Sequence, residues 1–83
     1  MTALAWPTTD VVGDVLVTYH HWREDADAVA DAYDEWRQAP PAEQARRFAA
    51  YTAALEQEES AASAHAHAVA TFKRRVPPPR VAR

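Results

Sequence analysis

Cysteine is absent from these 83 residues, which excludes disulfides and thiolate metal sites. Glycine occurs once, at Gly13, so there is no glycine-rich loop to cradle a phosphate. No stretch approaches the roughly 20 apolar residues that span a bilayer. The opening Met-Thr-Ala-Leu-Ala-Trp-Pro has neither the basic segment nor the apolar run of a secretory signal. A cytoplasmic protein with no membrane contact is therefore expected. Proline falls only at 7, 40–41 and 77–79, which leaves two long stretches without a breaker.

What fills those stretches is alanine, 20 residues of the 83. A chain rich in the strongest helix former and poor in β-branched runs has few routes to a sheet, so an all-α fold is expected. At this length the chain makes one small domain, near the limit at which a single core suffices. Charge is unevenly spread. Residues 1–72 hold all twelve acids and four bases, a balance of −8, and residues 73–83 hold five bases and no acid. An acidic body carries a basic tail.

Pro7-Thr8-Thr9-Asp10 reads as a helix start, with a threonine to cap free amides and Asp10 and Asp14 near the positive end of the dipole. Pro40-Pro41 ends that helix and opens the next, since proline is welcome in a first turn. The second helix meets no breaker until Pro77, and Lys73, Arg74 and Arg75 suit its negative end. The boundaries expected are a short arm over 1–8, a helical hairpin over 9–76 and a Pro/Arg-rich tail over 77–83. Within the hairpin the helices span about 9–38 and 42–75.

Tyr-x-x-Trp-Arg occurs twice, at Tyr19 and at Tyr33, fourteen residues apart. Val12, Val15, Tyr19, Trp22, Ala26, Val29, Tyr33 and Trp36 alternate spacings of three and four, the pattern of a helix held against a partner helix. The doublet is thus expected to be core packing at heptad spacing, with Trp22, Tyr33 and Trp36 inside. The second helix carries a matching seam through Phe48, Tyr51, Leu55, Glu58, Ala62, His65, Val69, Phe72 and Val76. Beside it runs a stripe of small residues, Ala54, Ala61 and Ala68. Such a stripe lets a neighbouring backbone come close and makes the buried face wider than a hairpin can cover. An antiparallel, coiled-coil-like two-helix hairpin that dimerises into a four-helix bundle is expected, with these residues forming its core and its oligomer interface.

Two seam positions are polar, Glu58 and His65. Two antiparallel registers are open. One sets Tyr19 against Glu58, the other Tyr19 against His65, and either gives a polar layer that fixes register and partner number. His20, His21, Glu58, Glu59, His65 and His67 suggest a metal-binding bundle as one alternative. The Glu-x-x-His spacing of di-metal bundles is missing, however, so no metal and no cofactor is expected. No Cys/His pair exists, and Ser60 and Ser63 lie on an alanine-rich helix, so no catalytic site is expected.

The tail KRRVPPPRVAR offers Lys73, Arg74, Arg75, Arg80 and Arg83 to a partner. A protein partner is expected ahead of nucleic acid, because the acidic body would repel a duplex. In size the hairpin resembles the small helical secreted proteins with a Trp-x-Gly turn. The likeness is architectural: Arg37 and Gln38 follow Trp36 where that family has glycine, and Leu55 stands where an acid follows the family's tyrosine. The functional expectation is a small non-enzymatic interaction or assembly module that self-associates and contacts a protein. A nucleic-acid-associated regulator using the basic tail is the alternative.

Overall fold

The structure, a computed structural model, describes residues 7–75, with side chains from residue 10 onward. Residues 1–6 of the arm, Val76 and the whole 77–83 tail, with Arg80 and Arg83, lie outside the described residues. Two helices, α1 (Pro7–Gln38) and α2 (Gln44–Arg75), of 32 residues each, pack as an antiparallel hairpin. Each is about 48 Å long at 1.5 Å per residue.

α1 begins at Pro7, two residues ahead of the expected start. A proline has no amide to satisfy in the first turn and its φ is already helical. α2 begins two residues later than expected, because Pro41–Glu43 form a single 3-10 turn. Pro40 is held extended, at φ −66° and ψ 160°, as the residue before a proline must be. The Glu43 amide closes this turn by donating to the Pro40 carbonyl at 2.8 Å. Across the link, the Gln44 side-chain amide donates to the Ala39 carbonyl at 2.8 Å and also reaches that of Trp36 at 3.4 Å. It thereby satisfies the Ala39 carbonyl and adds a second donor to that of Trp36, which already accepts from the Ala39 amide at 3.2 Å. Arg47 bridges Glu35 and Glu43 at 3.2 and 3.5 Å, and Arg46 pairs with Glu43 at 3.1 Å. These exposed pairs contribute little each.

Ring pairs across the two helices show the register. Tyr19 lies beside His65 with centroids 5.7 Å apart, Tyr33 beside Tyr51 at 5.6 Å, and Trp36 beside Phe48 at 4.9 Å. Of the two expected registers, this is the one that places Tyr19 level with His65.

The contact seam is rotated from the expected one by a single line. On α1 the residues turned toward α2 are Val11, Val15, Thr18, Trp22, Asp25, Val29, Ala32 and Trp36, all buried or half-buried. The Val15–Trp22–Val29–Trp36 line is the expected one, but Val12, Tyr19 and Tyr33 are displaced to an exposed flank. On α2 the seam runs through Tyr51, Ala54, Glu58, Ala61, His65, Ala68 and Phe72, while Phe48 and Leu55 are exposed. The physical cause is the alanine stripe. Ala68 is 7% exposed, and Val11, the most buried described residue, is 3% exposed. Backbones that meet over Ala54, Ala61 and Ala68 leave room for Val11, Thr18 and Ala32 but not for a second row of phenol rings. The helices therefore roll until the small residues face each other and the tyrosine line stands at the edge. Among the described residues only Val11 and Ala68 are buried.

Enlarging Ala68 should force the helices apart. Ala68→Leu is expected to destabilise the fold by about 1–3 kcal/mol, the usual cost of overpacking, read as a lower midpoint in urea denaturation.

Candidate functional site

Midway along the hairpin, polar and aromatic side chains form one cluster. The Trp22 indole Nε1–H donates to Glu58 Oε2 at 2.6 Å, across the two helices. The same indole stacks on the His65 ring, with centroids 5.5 Å apart and planes 23° from parallel. Thr18 Oγ1 lies 3.0 Å from His65 Nδ1 and 2.7 Å from the Asp14 carbonyl. A hydroxyl has one proton, and the carbonyl is the nearer acceptor. With the proton given there, the hydroxyl oxygen is free to accept from His65 Nδ1–H. Among the described residues no buried side-chain polar atom lacks a partner. A seam crossed by these specific bonds admits one alignment of the two helices.

The expected layer of Tyr19, Glu58 and His65 is thus brought together only in part. Tyr19 meets His65 ring to ring and packs edge-on to Trp22. Glu58 bonds Trp22 instead of Tyr19. Pairing at the level of Tyr19 alone does not find this bond, because Trp22 reaches across to a residue below its own level. The usable signal was that an indole N–H in a seam needs an acceptor.

The remaining candidates fall on different sides. A groove of about 470 Å³ is lined by Thr18, His21, Asp25, Glu56, Gln57, Ser60 and two alanines. Serine, histidine and aspartate are the types from which hydrolytic sites are built, but no hydrogen bond joins these three among the described residues. His67 lines a separate groove with Asp10, Asp14 and Arg75. Among the described residues no group of three or more His, Asp or Glu side chains is placed to hold a metal ion. Lys73, Arg74 and Arg75 are exposed together at the end of α2, where Arg74 donates to Thr71 Oγ1 at 3.3 Å. No helix among the described residues is long and apolar enough to cross a membrane.

The largest feature is the flank onto which the roll has moved the bulky side chains. Leu16 is 57% exposed, Phe48 45% and Tyr19 44%, with Val12, Tyr33 and Leu55 also open to solvent on the same side. At the open end of the hairpin this flank deepens into a groove of about 440 Å³ lined by Val12, Val15, Leu16, Val69 and Phe72, with Lys73 at its rim. At the turn end, the Arg37 guanidinium covers the Tyr33 ring at 5.6 Å and donates to its hydroxyl at 2.8 Å. The side chains expected in the core or oligomer interface therefore divide. Trp22, Trp36, Tyr51, Ala54, Ala61 and Ala68 lie between the helices, while Tyr33, Phe48 and Leu55 face outward from a single hairpin.

Compared with known protein families, with curated proteins and with solved structures, the chain matches none.

The Trp22–Glu58 bond predicts a measurable coupling. In a double-mutant cycle of Trp22→Phe with Glu58→Leu, each single change is expected to destabilise and the pair to be less than additive. Because both groups are only half-buried, the interaction energy should be about 1 kcal/mol, below the usual value for a bond to a charged acceptor.

Proposed function

We propose that the protein is a non-enzymatic helical assembly module. Two copies join their apolar flanks into a four-helix bundle, and the resulting homodimer contacts a protein partner. The observation that supports this reading is the apolar flank that one hairpin leaves partly open. The seam mixes Trp22, Trp36 and three valines with Thr18, Asp25, Glu58 and His65, while Leu16, Tyr19, Tyr33, Phe48 and Leu55 stay exposed beside it. Apolar burial is the main driving force for helix packing, and a single hairpin forgoes it along this whole flank. Covering one flank with the other closes the structure by a two-fold operation. The cytoplasm is the compartment proposed for it.

A second reading is favoured by one observation, the exposure of Lys73, Arg74 and Arg75 in the last turn of α2. These could contact nucleic-acid phosphates. The acidic remainder of the chain, −8 through residue 72, opposes a broad duplex interface.

Two measurements test these readings. Light scattering at micromolar concentration should return twice the 9.2 kDa chain mass. Leu16→Asp combined with Phe48→Asp should return the single-chain mass with a lower melting temperature. A wild-type protein that melts cooperatively as a single chain would remove the module reading. Duplex DNA binding that weakens steeply with salt would instead favour the nucleic-acid reading, and no binding at low salt would remove it.

A further inference from the structure

The flank is charged unlike the rest of the chain. On α1 its outer line runs Leu16, Arg23, Ala30 and Arg37 at seven-residue steps. It holds no acid, although α1 carries eight. On α2 the corresponding line runs Thr52, Glu59, Ala66 and Lys73. Contacts fix both lines on this side: Leu16 and Lys73 line the apolar groove, and Arg37 covers Tyr33. Arg23 and Glu59 are exposed, and neither makes an ion pair among the described residues. Tyr19 is level with His65 and Tyr33 with Tyr51. Arg23 and Glu59 therefore stand within about 3 Å of the same height, at opposite borders of the flank.

Two two-fold arrangements can bring such flanks together. With the axis along the helices, α1 of one copy lies over α2 of the other and both turns sit at one end. Each Arg23 then meets Glu59 of the second copy, giving two ion pairs. With the axis across the helices, α1 lies over α1, α2 over α2, and the turns point apart. Each Arg23 then comes within about one helical turn of the other Arg23, and each Glu59 of the other Glu59. The apolar side chains buried are the same in both arrangements, so charge decides between them.

We infer that the second copy docks with its axis along the helices, so that Arg23 and Glu59 pair across the interface and both turns lie at the same end. This rests on the self-association proposed above. Lys73, Arg74 and Arg75 of both copies then gather at the opposite end, a doubled basic surface that one hairpin lacks.

The chain has no cysteine, and Ala42 is exposed in the turn, so Ala42→Cys gives one site for a nitroxide label. The distance between labels in the dimer is expected below about 30 Å, since packed helices lie about 10 Å apart and the label arms add the rest. Turns at opposite ends would instead set the labels beyond about 45 Å, roughly a helix length. Arg23→Glu should raise the dimer dissociation constant on the order of tenfold, and adding Glu59→Arg should restore it. A dimer with labels beyond that distance, or one indifferent to Arg23→Glu, overturns this arrangement and leaves the module reading standing. A wild-type protein that stays a single chain overturns both.

Discussion

The distance between the two helices is set by the smallest side chains in α2, and the remaining features follow from that spacing. Ala54, Ala61 and Ala68 present methyl groups to α1, and Ala68 is almost fully covered. Helices that meet over methyls can approach closely, but only where the opposite positions are also short. Val11, Thr18 and Ala32 meet that condition. Tyr19 and Tyr33 do not, and the helices roll by one line to exclude them. The roll that turns the alanines toward α1 thus leaves the phenol rings at the edge. The small-residue seam and the exposed flank are two results of one steric constraint.

The polar groups in the seam work with this constraint. A stripe of identical small residues at seven-residue intervals fits equally well after a shift of seven, so alanine alone leaves the register open. The Trp22 bond to Glu58 and the Thr18–His65 contact occur in only one alignment. Breaking either removes a partner from a half-buried polar group, a cost that its partial exposure to water lowers but does not abolish. Spacing therefore comes from the alanines, and alignment from the tryptophan, glutamate, threonine and histidine.

Much of this was legible in the sequence, though not all. Pro40-Pro41 marks the reversal because a proline restricts its predecessor and lacks an amide, and those effects are local. The Trp22–Trp36 line is found by periodicity because it lies at the centre of a broad apolar face. Periodicity also sets the tyrosine line beside it, and a single hairpin leaves that line at its edge. On the other side runs Val11, Thr18, Asp25 and Ala32, half polar yet turned toward α2, so a period of 3.5 can pair the central line with either neighbour. Choosing between the pairs requires side-chain volumes on the facing helix, which no single-helix pattern contains. The Trp22–Glu58 bond was similarly out of reach, since it depends on an indole reaching past the residue level with it.

A monomeric hairpin gains most by placing large apolar groups between its helices and polar ones outside. Here the seam admits a threonine, an aspartate, a glutamate and a histidine among its tryptophans and valines, while a leucine, tyrosines and a phenylalanine stay exposed beside it. Within one chain that distribution leaves apolar area uncovered, and the polar seam positions contribute specificity more than burial. If the flank is the proposed interface, the same distribution is economical. The intrachain contact then selects one shape, and association supplies the burial that holds it. Fold stability would in that case rise with protein concentration, because the associated form is coupled to the folded one by mass action.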